Sequence, residues 1–247
     1  MGGEVTRYRD IVILANSRRH DGRCIAGKDL ATGEWIRPIS IFGKGRKDPE
    51  AFYDSDLNKL IGDPDGPKLL DCVKIGLSSA CRTNCQPENY SIDGTPWQKR
   101  SQFLLYKLPT LADLGDCCFL GNHDRYGDRI PVSEVQANPL KSSLNLIKMN
   151  GKENHVYLIH QKKSDGTYKH RMHFTYEEIF YNLSVTDSHY ENVYHATKID
   201  DSIVFDDFFM VVGVGSDKFK PELSQIHYHF RFIVGIIPSK NIKEYSL

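Results

Sequence analysis

This chain has no long apolar run: nothing in it approaches the roughly 18 residues that a membrane-spanning helix needs. Met1 to Arg9 carries charge and no apolar core, so no secretory signal is expected. Cysteine is scarce. Six (Cys24, Cys72, Cys81, Cys85, Cys117, Cys118) in 247 residues are too few for a disulfide scaffold, and reduced thiols in the cytoplasm are the expectation. An excess of charge is also missing, with 32 Lys and Arg against 32 Asp and Glu. That argues against a non-specific polyanion binder, whose affinity comes from neutralising many phosphates. No P-loop occurs, since Gly43-Lys44-Gly45-Arg46-Lys47 lacks the full spacing. Gly213-Val214-Gly215 lacks the third glycine of a dinucleotide fingerprint. Low-complexity segments and internal sequence repeats are absent.

What is present is alternation. From Arg9 to Ser40, apolar runs are separated by Asp21-Gly22 and Ala31-Thr32-Gly33, which reads as a three-stranded antiparallel meander. A polar insertion from Ile41 to Pro67 follows. Within it Leu57, Leu60 and Ile61 share one face and predict a short helix over 54–61. Leu69 to Leu77 and Cys85 to Asp93 supply two further strands. Five strands with a helix between the third and fourth match the order of an OB barrel. Residues 94–141 are irregular, with a short helix expected at Thr110 to Leu114. Strands resume at 144–149, 155–161, 168–174, 181–186, 208–214 and 227–237. The expected fold is therefore mainly β: two tandem OB-like barrels, 1–100 and 142–247, packed together and joined by an irregular or partly helical connector at 101–141.

Cations crowd the first hairpin. Residues 1–50 hold ten Lys or Arg against seven Asp or Glu, whereas 51–141 hold ten against twelve and 142–247 twelve against thirteen. Arg18, Arg19, His20 and Arg23 lie at the hairpin tip, with Trp35 and Arg37 on the adjoining strand. Guanidinium forks match phosphate oxygens, and an exposed ring beside them can stack a base. The candidate ligand-binding set is Asn16, Arg18, Arg23, Trp35, Arg37, Glu88 and Asn89. The plain alternative is a solvated hairpin tip, with Glu88 paired to an arginine of the meander so that it locks the barrel.

Other motifs carry less. Gly121-Asn122-His123-Asp124 spells a binuclear metallophosphoesterase motif. The Asp-x-His block such a centre needs is missing, because Asp10 is followed by Ile11 and Val12. Cys81 and Cys85 have zinc-like spacing, but adjacent Cys117 and Cys118 fit poorly because neighbouring side chains diverge, and His123 is the candidate to replace one of them. No metal site or cofactor is expected. Thr186-Asp187-Ser188 reads as a helix cap or Asx turn. His227, Tyr228 and His229 alternate faces on the last strand, and His227 is a candidate to face a ligand groove.

Several strings resemble the bacterial proteins that carry a dual OB-fold domain, some of them described as nucleic-acid modification proteins. The strings are Ala15-Asn16-Ser17-Arg18, Gly22-Arg23-Cys24-Ile25-Ala26-Gly27, Trp35-Ile36-Arg37-Pro38-Ile39-Ser40 and Leu69-Leu70-Asp71. They continue with Gln86-Pro87-Glu88-Asn89 and Trp97, Ser143-Leu144-Asn145-Leu146-Ile147 and Leu183-Ser184-Val185-Thr186-Asp187. His227-Tyr228 and Val234-Gly235-Ile236-Ile237 close the series. The resemblance implies a tandem OB architecture and a link to nucleic acid within modification or defence systems. It implies no catalytic residue. The expected role is recognition of a nucleic acid (a short single strand) or a nucleotide, with no membrane and with a protein partner open. Two rivals stand beside it: an enzyme modifying a nucleotide or nucleic acid at a cleft of the arginines with Glu88 or Asp187 as acid or base, and a protein-binding adaptor.

Overall fold

The computed structural model describes residues 7–113, 127–162, 168–190, 203–204, 206–222 and 224–239; for 160–162, 168, 203 and 204 it describes the backbone alone. The chain is mainly β and divides into two compact units, Met1–Leu111 and Ala112–Leu247.

The first unit contains β1 (Arg7–Arg19), β2 (Gly22–Asp29), β3 (Trp35–Ile39), α1 (Asp54–Ile61), β4 (Asp71–Ala80), β5 (Asn89–Ile92), β6 (Gln98–Gln102) and a 3₁₀ helix (Leu105–Leu111). The sheet runs β1-β2-β3-β5-β4, and β4 pairs with β1, so five strands close into a barrel. β3 and β5 run parallel, and every other pairing is antiparallel. This is the OB order, with the helix between the third and fourth strands as expected.

Closure requires β1 to serve two partners. Arg7 to Val12 pair with β4, and Ile11 to Arg19 pair with β2, with a register shift between Ile13 and Ala15. At the bend the backbones approach so closely that a Cβ on Gly27 would lie 2.1 Å from the Val12 carbonyl oxygen. Ile11, Ile13, Ile25, Ile36, Val73, Ile75 and Ile92 line the interior, and Leu57 and Leu60 of α1 enter it from the helix. Phe52 and Trp97 meet edge-on inside, with ring centroids 5.4 Å apart. The helix stops where its apolar face ends, at Gly62 in the left-handed region (φ 74°).

Two local expectations are corrected. The strand expected from Cys85 begins only at Asn89, because Thr83 and Gln86 exchange backbone hydrogen bonds in a turn and Pro87 has no N–H to offer a ladder. β6 was not foreseen, because Gln98–Gln102 is exposed at every position and shows no alternation. Among the described residues it pairs only with β4, and its Lys99 and Arg100 are the charges expected on a sheet edge.

The second unit contains β7 (Arg129–Pro131), α2 (Val132–Ala137), β8 (Leu144–Met149), β9 (Tyr157–Lys162), β10 (Tyr168–Tyr176), β11 (Ile179–Val185), β12 (Ile203–Val204), β13 (Phe208–Phe219) and β14 (Tyr228–Pro238). The sheet runs β12-β9-β10-β11-β14-β13-β8, with β7 added to β14. β11 and β14 are the parallel pair. This is the same circuit with its first strand in two pieces: β8 pairs with β13 as β1 pairs with β4, and β9 pairs with β10 as β1 pairs with β2. The bend that the first barrel makes with a bulge is made here by 150–156. Residues 101–141 thus fall partly in each unit: the end of β6 and the 3₁₀ helix in the first, β7 and α2 in the second.

Replacing Gly27 by Ala forces a side chain against the β1 backbone. The variant should lose about 3 kcal/mol of stability, as overpacking against an atom that cannot yield does. Urea denaturation should show a lower midpoint at unchanged slope; an unshifted midpoint would refute the close approach.

Candidate functional site

Strand alternation divides the cations of the first hairpin between two faces. Across β1 and β2, Asn16 stands opposite Ile25, Ser17 opposite Cys24, and Arg18 opposite Arg23. Ile25 points into the core, so Asn16, Arg18 and Arg23 share the interior side near the barrel's end. There Asn16 and Arg23 meet the segment after α1. Asn16 Nδ2 donates to the carbonyls of Asp65 and Pro67, each at 3.1 Å, and Arg23 Nη2 donates to Asp65 Oδ1 at 2.7 Å. Arg23 also exchanges backbone hydrogen bonds with Phe52 at 2.7 and 2.9 Å. Asn16 and Arg23 therefore tie the insertion onto the barrel. Arg18 and His20 remain exposed at the tip, where His20 takes up a left-handed conformation (φ 52°).

The outward face carries a second set. Arg19 Nε lies 2.5 Å from Asp48 Oδ2, and Arg37 Nη2 lies 3.2 Å from Glu88 Oε1. Arg37 and Glu88 are both buried. Burial raises the Cys24 thiol pKa, opposed by the charges of Arg19 and Arg37, so Cys24 is held as a thiol rather than a reactive thiolate. Asn89, paired with Arg37 in the parallel ladder, donates to Gln86 Oε1 at 3.1 Å, while its own side-chain oxygen is buried without a hydrogen bond.

Two expectations about geometry change here. Trp35 is not an exposed ring: it is 7% accessible, with Lys28 Nζ 5.3 Å from its centroid and that ammonium donating to the Leu111 carbonyl. Arg23 and Arg37 do not form one surface, because Arg23 follows the side of Ile25 and Arg37 the side opposite Ile36.

In the second barrel, β10 and β11 stand where β2 and β3 stand in the first. Met172, Phe174, Tyr181 and Leu183 point inward and are buried. Arg171, His173, Asn182, Ser184 and Phe180 share the outward side. Arg171 Nη2 pairs with Asp128 Oδ2 at 3.0 Å and Nη1 donates to Ser184 Oγ at 3.2 Å, while Asn182 accepts from the same guanidinium. His173 meets Phe180 edge-on at 5.5 Å. Burial and then the Arg171 charge lower its pKa, so its ring is neutral at pH 7. Sequence reasoning passed over this face. Its only signal was the alternation of polar and apolar residues through 171–174, which does not say what covers each side.

Asp187 is occupied structurally. Its Oδ1 accepts from the His189 and Tyr190 N–H groups at 2.9 and 3.2 Å, and its Oδ2 from the Ile236 N–H at 2.8 Å. The cap reading is the one the structure displays, and Asp187 and Glu88 belong to different units. Cys81 Sγ contacts Ser91 Oγ at 3.0 Å and Cys85 Sγ contacts Thr83 Oγ1 at 3.5 Å. Among the described residues no cluster of metal-ligating side chains occurs. Cys117, Cys118 and the Gly121 to Asp124 motif lie outside the described residues. No helix among the described residues is long and apolar enough to cross a membrane.

The family model of the dual OB-containing domain matches residues 9–236. No curated protein and no solved structure gives a significant match.

The Arg37–Glu88 pair locks β3 beside the start of β5. Glu88→Leu removes the carboxylate from a buried guanidinium and should cost about 3 kcal/mol, whereas Arg37→Met combined with Glu88→Leu should recover most of that loss. A double-mutant cycle in urea measures the coupling, and additive single losses would mean that the two side chains act independently.

Proposed function

Since the chain belongs to the dual OB-containing domain family, we propose that it recognises nucleic acid or a nucleotide, as a module accessory to a nucleic-acid modification or defence system. OB barrels bind oligonucleotides on the face of their second and third strands and on the loops that follow the first and fourth. The observation that carries the reading is the β1–β2 tip, the first of those loops. Arg18 and His20 are exposed there. Arg19 and Arg23 flank them, each fixed by carboxylates: Asp48 for the one, Asp65 for the other. A tip stiffened in this way holds the exposed Arg18 guanidinium in place at little entropic cost.

In this reading Arg18 touches a phosphate and Arg23 holds the hairpin that presents it. Asn16, Trp35, Arg37, Glu88 and Asn89 frame the barrel behind the contact. With a net charge of zero, the footprint covers few phosphates and selectivity rests on the bases. The resemblance to nucleic-acid modification proteins supports the accessory role. Cys24, Cys72, Cys81 and Cys85 are free thiols, which suits the reducing cytoplasm.

Arg18→Ala should weaken binding of a short single-stranded oligonucleotide about threefold to tenfold and flatten the salt dependence by about 0.7 in log–log slope, the share of one phosphate on a single strand. Melting should be unchanged, since Arg18 is exposed. Fluorescence anisotropy across a salt series reads both quantities. An unaltered slope would move the phosphate contact elsewhere, and no binding by the parent protein would remove the reading.

A further inference from the structure

The last strand carries an aromatic face. Along β14, His229, Arg231 and Ile233 point inward and are at most 3% accessible. The alternate residues Tyr228, Phe230, Phe232 and Val234 are only half-buried on the other face. A sheet face open to water ordinarily carries polar side chains at such positions. Here three successive positions are aromatic, and Phe219 of β13, the cross-strand partner of Tyr228, is 42% accessible beside them.

The rings form a row rather than a scattered patch. Phe219 and Phe230 have centroids 5.2 Å apart at 38°, and Phe230 and Phe232 have centroids 6.2 Å apart at 50°. Gly215 leaves room for the row, since a Cβ there would lie 3.0 Å from Phe232 Cε2. Arg129 of β7 is the cross-strand partner of Phe230, and its guanidinium lies 5.7 Å from the Phe230 centroid and 6.0 Å from that of Phe219. The row adjoins the outward face of β11 through the Ser184–Phe232 pair, and the loop beyond Phe219 is the one that follows the fourth strand of this barrel.

We infer that Phe219, Phe230 and Phe232, with Arg129, form a stacking platform for the unpaired bases of a single-stranded nucleic acid. This rests on the nucleic-acid reading above and deepens it by naming a surface on the second unit that takes the bases. Aromatic faces with a guanidinium over them match a chain that alternates flat bases with phosphates. A duplex keeps its base faces stacked inside and offers none to the rings. Charge on the hairpin is mixed: Lys218 and Lys220 stand with Asp217 and Glu222, and Asp128 is shared by Arg129 and Arg171. Stacking is therefore the larger contribution and phosphate attraction the smaller.

The test uses the full chain and an oligothymidylate of about a dozen nucleotides, long enough for one OB site, bearing a single 2-aminopurine, against a duplex of equal length. The parent should bind the single strand more tightly than the duplex, with a change in 2-aminopurine fluorescence on binding. Phe219→Ala and Phe230→Ala should each weaken single-strand binding about five- to hundredfold, and Phe219→Trp should restore it. Phe219 is exposed, so its alanine variant folds, and a far-ultraviolet spectrum checks both. If the parent binds and both alanine variants bind equally well, the platform is overturned while the nucleic-acid reading stands. Equal affinity for duplex and single strand overturns the strand assignment. Binding of neither probe overturns both readings.

Discussion

Closing a five-stranded sheet on itself obliges one strand to pair along both of its edges, and much of this structure follows from that requirement. In the first barrel β1 leaves β4 and joins β2 within a few residues, through the register shift at Ile13 to Ala15. Gly27 permits the bend because any larger residue would collide with the Val12 carbonyl. In the second barrel the same duty is divided between β8 and β9. The two solutions explain why the halves share a circuit without sharing a sequence pattern. A bulge needs one residue and a small neighbour, whereas a break needs a loop.

Closure also decides what the polar residues do. A barrel has an inside and an outside but also ends, and charges near an end must find partners in whatever covers it. Arg23 and Asn16 bind the segment after α1, so the insertion between the third and fourth strands becomes part of the barrel wall. On the outward side Arg37 and Glu88 join β3 to the start of β5, where the parallel pairing is short. Arg171 and Asp128 make a corresponding pair in the second barrel. Such buried pairs contribute little net stability against a hydrophobic isostere, but breaking one is expensive, so they favour a single register.

The candidate site was therefore legible only in part. The cation cluster at the first hairpin tip was visible as composition, and Arg18 and His20 stand exposed there. Its coherence as one surface was not, since neighbouring strand residues project to opposite sides. Trp35 looked available for stacking because it sits beside cations, yet it is buried, with the Lys28 ammonium over its ring. The aromatic row of β13 and β14 escaped notice for the converse reason. Residues 227–237 are β-branched or aromatic almost throughout, so nothing local distinguished the buried face from the open one.

The sequence by itself determined the strand class, the helix at 54–61 and the five-strand order of the first half. Those depend on local periodicity and turn chemistry, which a chain carries wherever it folds. It also exposed Asp187 as a cap, because an Asx turn is a local structure. Tertiary structure alone decided that β6 belongs to the sheet, that the first strand of the second barrel is broken, and that phenylalanines rather than a tryptophan meet solvent. Each of these is a question of which side of a strand is covered, and by what. The answer lies in residues far away in the chain, brought near only when the barrel closes.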